Sequence, residues 1–285
     1  MNRPHPFRCA FTYVELLALL AISAILLSIF VPFLAAENEK ERRIVCEDHL
    51  RQLGDALEQY ADRYNNEYPR TRYDPVLNPN GYTAFTGPDI RNPNSIAVGP
   101  NDVTAPLWLL VRGGFIKDMT VFICPSRGGE PDRLDGADHR SNFRSPRNLS
   151  YSYADPYSGF TQYRLNSDYI RGQFALMADR NPGADAASVP HDASPLELAR
   201  ANSRNHGRAG QNVLYADGTV SFQTTPYCGV RPKAAPDGDN IYTALSDQPL
   251  TGDTPFYAGN GYVGTQYGPA YQWDSYLVPT DDDLP

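Results

Sequence analysis

The chain has 285 residues, of which 41% are hydrophobic and 20% are charged. These proportions are typical of one large or two modest globular domains, and they exclude a protein with many membrane spans. The 25 Lys and Arg residues are outnumbered by 33 Asp and Glu residues, for a net charge of -8. This balance gives no basic field to neutralise a phosphate backbone, so nucleic acid is not an expected partner.

An apolar segment near the amino terminus is long enough to cross a membrane. Leu16 to Ala36 is an uncharged stretch of 21 residues, which at about 1.5 Å per residue matches a hydrocarbon core about 30 Å thick. The first ten residues hold Arg3 and Arg8 and no acid, whereas acids and bases are balanced in the segment that follows the apolar run. The positive-inside rule therefore keeps the amino terminus in the cytoplasm and sends the rest of the chain across the membrane.

Three kinds of segment fit this pattern: a cleaved signal peptide, a plain anchor, and a prepilin-type leader followed by a filament helix. The apolar run exceeds the usual signal-peptide core of about 7 to 15 residues. Glu15 distinguishes the other two, because an ionisable group in an apolar helix is costly in a membrane and so indicates a function. A plain anchor has no need of this acid.

The residues around Glu15 resemble the cleavage and methylation motif of type IV prepilins and type II secretion pseudopilins. A short basic leader precedes Ala10 and Phe11, with Ala10 where glycine is usual, and Glu15 is the fifth residue after the leader. The resemblance implies that a prepilin peptidase cleaves after Ala10 and methylates the new terminal amine of Phe11. It also implies that Glu15 pairs with the terminal ammonium of Phe11 on a neighbouring subunit, since burial penalises either charge alone.

Helical periodicity continues beyond the apolar segment. Apolar residues recur at spacings of three and four from Cys46 to Tyr64, with charged residues on the faces between them. We predict one helix from about residue 12 to residue 64, ending before Pro69. A self-contained coiled coil is the alternative, but the stripe covers barely three heptads, so we expect it to pack on the domain that follows.

The remaining elements predict an α+β domain. A proline start and a glycine end indicate a short helix within Ala105–Gly114, and Ser194 opens another one with a capping box. Asp217 and Gly218 form a hairpin turn between the last two predicted strands. The predicted strands are Val121–Cys124, Leu149–Tyr153, Gln173–Asp179, Asn212–Ala216 and Thr219–Gln223. The expected fold is therefore a long amino-terminal helix, first transmembrane and then amphipathic, packed on a mainly antiparallel sheet with long loops.

This organisation divides the chain into five segments. They are a leader at 1–10, a transmembrane and filament helix at 11–36, its amphipathic continuation at 37–64, a globular domain at 65–245 and a carboxy-terminal extension at 246–285. The extension and the segment before it are rich in Tyr and Gly. Such a composition is typical of an adaptable binding surface, but it also fits a tail that lies over the sheet, which we favour.

Two local motifs resemble those of a bacterial pseudopilin-like family with a carboxy-terminal H-X9-DG processing-associated domain. One is Cys124 followed by Pro and Ser, and the other is His206 followed by Asp217 and Gly218, with ten residues between His206 and Asp217 where the name of the motif has nine. His206 and Asp217 are candidates for a metal pair or an acid–base pair. We favour a structural interpretation, with a hairpin turn at Asp217 and a hydrogen-bonded His206, and we predict no enzyme.

Acidic residues near the carboxy terminus offer a candidate metal site. Calcium is suggested by the resemblance, since major pseudopilins commonly hold it in a carboxy-terminal loop, and Asp237 and Asp239 offer hard oxygen ligands. No EF-hand spacing organises these acids, and no spacing of Cys and His residues resembles a zinc site. No other cofactor is expected.

Three cysteines remain in an oxidising compartment once Cys9 has left with the leader. Cys124 and Cys228 lie in the globular region, whereas Cys46 lies on the packing face of the helix. We therefore predict a Cys124–Cys228 disulfide, with three buried thiols as the alternative.

The predicted function is that of a pseudopilin-like structural subunit of a type II secretion or pilus-like apparatus. Its expected partners are the prepilin peptidase and methyltransferase, other pseudopilin subunits and the bacterial inner membrane, with the carboxy-terminal domain in the periplasm. One alternative is a solitary membrane-anchored protein that binds a polysaccharide or a protein through its Tyr-rich outer domain. The other is a periplasmic hydrolase using His206 and Asp217, for which no third catalytic residue is visible.

Overall fold

The structure is a computed structural model that describes residues 12–78, 81–88, 99–160, 162–170, 172–187, 189–230, 238–244, 263, 265–266, 268–270 and 272–283. The side chains at positions 29 and 32–36 lie outside this description. The chain divides into two compact units, Met1–Glu41 and Arg42–Pro285.

Helix α1 runs from Tyr13 to Arg63 and confirms the helix predicted for residues 12 to 64. In the first unit its apolar side chains are between 47% and 62% exposed at Leu16, Leu17, Leu19, Leu20, Ile22, Ile25, Leu26, Leu27, Phe30 and Val31. Among the described residues, no helix combines the length and the apolar character needed to cross a membrane. The uncharged run Leu16–Ala36 falls in part on side chains outside the description, so the transmembrane segment stays a prediction from the sequence.

The second unit is built around a five-stranded sheet in which all neighbouring strands are antiparallel. The strand order is β4-β3-β2-β1-β5. The strands are β1 at Tyr151–Ala154, β2 at Ala175–Asp179, β3 at Gln211–Tyr215, β4 at Val220–Gln223 and β5 at Leu277–Val278. Four of the five predicted strands are thereby confirmed, and so is the α+β class of the domain.

Short helices lie between α1 and β1 and between β2 and β3. The helices that follow α1 are α2 at Ala105–Arg112, α3 at Ala184–Ala187 and α4 at Pro195–Ala201, with 3-10 helices at Met119–Phe122, Ala137–His139 and Pro146–Asn148. The capping box predicted at Ser194 is present, since its side chain accepts from the backbone N–H of Glu197 and the Glu197 side chain accepts from Ser194.

Two predictions about this unit are wrong. No strand forms at Val121–Cys124, where Val121 and Phe122 end a 3-10 helix and the next two residues are irregular. The Asp118 carboxylate accepts hydrogen bonds from the Thr120 backbone N–H at 2.9 Å and hydroxyl at 2.7 Å and so holds a tight turn. The segment 246–285 is not wholly an extension outside the globular domain. Its β5 pairs with β1 and forms one edge of the sheet. A strand of two residues is too short to show the alternation that predicts a strand.

The second half of α1 packs on this sheet, as its apolar stripe predicts. Cys46, Leu50, Leu53 and Leu57 are fully buried in the main core. At Gly54 a Cβ atom would lie 2.9 Å from Leu214 Cδ1 of β3, so the absence of a side chain lets the helix approach the sheet closely. The coiled-coil alternative is not needed to bury this stripe.

Truncating the stripe should weaken the fold. Leu57→Ala removes a fully buried side chain and is expected to lower the free energy of unfolding by about 2–5 kcal/mol. The measurement is denaturant unfolding of the full chain in mild detergent. Glu58→Ala, at the exposed neighbouring position, is the control and should change stability by less than about 0.5 kcal/mol. Equal losses in the two variants would contradict the packing described.

Candidate functional site

Four buried side chains from separate parts of the second unit converge beneath α1. They are Cys46 of α1, Cys124 after the 3-10 helix at Met119–Phe122, Asp179 at the end of β2 and His206 in the loop before β3. One ligand atom of each lies within 4.8 Å of those of the other three. Within the described part of the chain, this is the one group of three or more His, Cys, Asp or Glu residues whose ligand atoms are close enough to hold a metal ion. We call it the Cys–His–Asp cluster.

The secondary structure brings these residues together. Cys46 belongs to the buried stripe of α1, and His49, one turn further on, contacts the Ile123 carbonyl oxygen through Nδ1 at 3.0 Å. That contact fixes the segment carrying Cys124 against the helix. Asp179 ends β2 and faces Tyr151 in the register of β1 and β2.

The distances within the cluster are short. The Cys46 thiol donates to Cys124 Sγ, with 2.7 Å between the two sulfur atoms. His206 Nε2 lies 3.8 Å from Cys124 Sγ and 3.2 Å from Asp179 Oδ2. His206 Nε2 therefore contacts both a sulfur and a carboxylate, and the Cys46 ligand atom lies within 4.8 Å of those of the other three residues.

Amide groups hold the Asp179 carboxylate in place. Asn205 Nδ2 donates to Oδ1 at 2.9 Å, and the backbone N–H of Asn212 donates to Oδ2 at 2.7 Å. The Asn212 side chain also reaches α1, where its Nδ2 donates to the Arg43 carbonyl oxygen at 3.2 Å. The carboxylate is thus oriented by groups from the His206 loop and from β3, and β3 is in turn tied to the helix.

The cluster is closed to solvent. Cys46, Cys124 and Asp179 are 0% exposed, and His206 is 2% exposed. The ring of Phe222, from β4, lies edge to face with the His206 ring at 6.0 Å between centroids. No substrate can reach these side chains in this conformation, so the arrangement suits a structural or metal-binding role better than catalysis.

Charges inside the cluster stabilise one another. Burial alone would raise the pKa of Cys124, but hydrogen bonds from Cys46 and His206 outweigh it and lower the pKa to about 7. Burial alone would lower the pKa of His206, but Asp179 and Cys124 outweigh it and raise the pKa to about 11. The Cys46 pKa is raised, first by its hydrogen bond to Cys124 and then by burial. These shifts favour the protonated imidazole at His206, next to the Asp179 carboxylate, and the thiolate form at Cys124.

The predicted disulfide is not the pairing that the structure shows. Cys124 contacts Cys46, and both of them, like Cys228, are unbridged and buried. Cys228 Sγ instead lies 3.6 Å from the Pro226 carbonyl oxygen. The three buried thiols, which were the alternative, agree with this structure.

His206 and Asp217 do not form a pair, since His206 contacts Asp179 instead. Asp217 is exposed in the β3–β4 turn, where its carboxylate accepts from the Thr219 backbone N–H at 3.0 Å and from the Thr219 hydroxyl at 2.6 Å. Gly218 has φ +81°, which explains the glycine of this turn. The prediction of a hairpin turn at Asp217 and Gly218 is confirmed. His206, which was predicted only to be hydrogen-bonded, contacts both Asp179 and Cys124.

The predicted calcium ligands are not brought together in the described residues. Asp237 lies outside them. Asp239 is 1% exposed, and its Oδ2 accepts from the Ser275 backbone N–H at 2.9 Å. Burial raises the Asp239 pKa to about 7, which disfavours the ionised form that calcium requires.

The predicted processing residues, Ala10 and Phe11, also lie outside the described residues. Glu15 is exposed in the first turn of α1. Its carboxylate accepts from the Thr12 backbone N–H at 2.8 Å and from the Thr12 hydroxyl at 2.9 Å. These bonds hold the carboxylate at the helix N-terminus, where the helix dipole favours a negative charge.

Sequence reasoning missed two members of the cluster as functional residues. The sequence predicts Asp179 as the last residue of a strand and Cys46 as part of the packing face of the long helix. Both residues are far from His206 along the chain, so the sequence shows no short spacing of the kind that identifies metal ligands. The one available signal is that Cys46, a reactive residue type, occurs on the same buried face that must contact the Cys124 segment.

Comparisons with family models, with curated proteins and with solved structures find no match to this chain. The resemblance to prepilins and pseudopilins thus depends on the residues of the leader, the first helix and the two carboxy-terminal motifs.

The buried Asp239 gives a test by pH. Its pKa of about 7 in the folded chain is above the unfolded value of about 4, so the native state holds a proton that the unfolded state has lost between these pH values. The contribution of the protonated Asp239 side chain to the free energy of unfolding is therefore complete below about pH 4. It is lost as pH rises through 7. Asp239→Asn should therefore gain stability relative to the wild type between pH 5 and 8, by an amount on the order of 2–4 kcal/mol.

The measurement is denaturant unfolding at several pH values. Asp118→Asn is the control of opposite sign, because hydrogen bonds from the Thr120 hydroxyl and backbone N–H lower the Asp118 pKa, and that stabilisation is present only at the higher pH. A difference between Asp239→Asn and wild type that stays constant with pH would contradict the prediction.

Proposed function

We propose that this protein is a pseudopilin-like subunit that is inserted in the bacterial inner membrane, processed after Ala10 and assembled through α1 into a type II secretion or pilus-like apparatus. The observation that carries the proposal is an acid, Glu15, in the first turn of a helix, followed by the 21 uncharged and mostly apolar residues Leu16 to Ala36. The protein acts as a structural part and as the substrate of the processing peptidase.

The exposed apolar residues of α1 support this proposal because they need a covering. Ten large apolar side chains from Leu16 to Val31 are each about half exposed or more in the single chain. At about 25 cal/mol per Å² of apolar surface, leaving them in water is strongly unfavourable. Lipid covers such residues in a membrane, and neighbouring helices cover them in a filament.

Glu15 supports assembly rather than simple anchoring. Its present hydrogen bonds come from Thr12, which is local and leaves the carboxylate exposed. A terminal ammonium at Phe11 of a neighbouring subunit would give this carboxylate an opposite charge when the helices pack and exclude water. That pair would fix the axial position of one subunit against the next.

The alternatives have less support. The solitary binding protein requires exposed tyrosines, but Tyr242 and Tyr276 are 0% exposed and belong to the core. The tyrosines at 257, 262, 267 and 271 lie outside the described residues. The hydrolase required His206 and Asp217 to act together, and these two side chains have different partners.

Processing predicts a defined amino terminus. Mass spectrometry of the protein purified from membranes should find a chain that begins at a methylated Phe11, since the peptidase cleaves after Ala10. The same protein made in a host without prepilin peptidase is the control and should retain Met1. A chain that begins at Met1 in the presence of the peptidase, or at Glu37, would exclude the proposed processing.

Assembly predicts a specific role for Glu15. Glu15→Ala should insert normally but lower the yield of cross-linked oligomers by about tenfold or more, because about 1.4 kcal/mol per interface is enough for that change. Glu37→Ala removes an exposed acid of the same helix, paired with Lys40 at 3.0 Å, and is the matched control. Oligomer yields that are equal in the wild type and both variants would refute the role of Glu15.

A further inference from the structure

We propose that the Cys–His–Asp cluster is a binding site for a divalent transition-metal ion, and that zinc is the ion its ligands fit best. The site does not depend on the filament function, since it lies wholly within Arg42–Pro285. Four protein ligands without a position open to substrate are typical of a structural zinc site.

The positions of the ligand atoms support a tetrahedral site. Bonds of about 2.3 Å to sulfur and about 2.0 Å to nitrogen or oxygen place neighbouring ligand atoms roughly 3.3 to 3.8 Å apart. The distance from His206 Nε2 to Asp179 Oδ2 is 3.2 Å, and that from Nε2 to Cys124 Sγ is 3.8 Å. The two sulfur atoms, 2.7 Å apart, would separate by about 1 Å when both bind the ion.

The donor set selects the class of ion. Two sulfur atoms and an imidazole nitrogen favour zinc over calcium or magnesium, which prefer oxygen ligands in larger numbers. Two thiolates and one carboxylate carry three negative charges, and a divalent cation removes most of this charge from a buried site. Without the ion, the same side chains must share protons where water cannot solvate them.

The surroundings are those of a supported metal site. The Asp179 carboxylate has a hydrogen-bond donor on each oxygen, from Asn205 at 2.9 Å and from the Asn212 backbone at 2.7 Å. Such outer contacts orient a ligating carboxylate and restrict its rotation. The complete burial of the two sulfur atoms protects them from exchange with external thiols.

A Cys46–Cys124 disulfide is the competing explanation of the two sulfur atoms. It accounts for neither the convergence of Asp179 and His206 on the same point nor the amide groups that hold the carboxylate. The metal uses all four side chains, whereas the disulfide uses two.

A bound ion would connect α1 to the outer domain. Its ligands come from α1, from the segment after the first 3-10 helix, from β2 and from the loop before β3. Because the unfolded chain does not bring these segments together, the free energy of metal binding would add to that of folding. The helix proposed for assembly would then be fastened to the sheet by coordination as well as by apolar packing.

Metal content tests the site directly. The full chain, purified in mild detergent without chelator, is expected to contain close to one zinc ion per chain by elemental analysis. Cys124→Ser and Asp179→Asn should lower metal affinity by tenfold or more. Cys228→Ser is the matched control, since Cys228 is a buried cysteine outside the cluster, and it should keep the ion.

A second measurement uses the wild-type chain and therefore tests the site even if a ligand variant fails to fold. Chelator-treated wild-type chain should lose thermal stability, regain it with Zn²⁺, and with Co²⁺ show the thiolate-to-cobalt absorption of a tetrahedral site. Absence of zinc, of the cobalt spectrum and of any stabilisation by either ion would overturn the proposal. So would a Cys46–Cys124 disulfide found by peptide mapping of the unreduced protein, or metal loss in Cys228→Ser that equals the loss in Cys124→Ser.

Discussion

The contact between the second half of α1 and the five-stranded sheet is the constraint on which the other features depend. The stripe that includes Leu50, Leu53 and Leu57 is fully buried, and Gly54 lets the helix lie close to β3. This contact brings Cys46 to the Cys124 segment. The same continuous helix also carries the exposed apolar residues of its first half, so one element serves both the domain and the proposed assembly.

Charge is handled in opposite ways at the two places proposed to matter. Glu15 is exposed at the helix N-terminus, where Thr12, the residue before α1, donates hydrogen bonds to its carboxylate. In the Cys–His–Asp cluster, by contrast, the charged groups are buried and satisfy one another. An exposed acid is available to a partner, whereas a buried set of opposite charges rigidifies what it connects.

Local pattern predicted much of the fold. Neighbouring residues determine three features that lie where they were predicted. These are the helix α1 with its periodic apolar residues, the capping box at Ser194 and the Asp217-Gly218 turn. The strand prediction for Val121–Cys124 is wrong because the cap at Asp118 stabilises a 3-10 helix in spite of the strand-forming side chains. β5 was missed because two residues are too few to show alternation.

The candidate site was harder to predict than the fold. His206 and Cys124 were singled out from the sequence, but their partners were assigned as Asp217 and Cys228. Both assignments favoured residues of the same carboxy-terminal region. The observed partners, Asp179 and Cys46, are fixed by strand pairing and helix packing, which no local pattern encodes.

The position of β5 has a consequence for the order in which this domain is completed. β5 pairs with β1, so one edge of the sheet takes a strand from nearly the last residues of the chain. Until those residues arrive, β1 presents unpaired backbone N–H and C=O groups, a surface to which other chains can add. In a chain that emerges amino terminus first, β1 is therefore available before its partner β5. A variant that lacks β5 would leave β1 as an unpaired edge strand and the domain prone to aggregation.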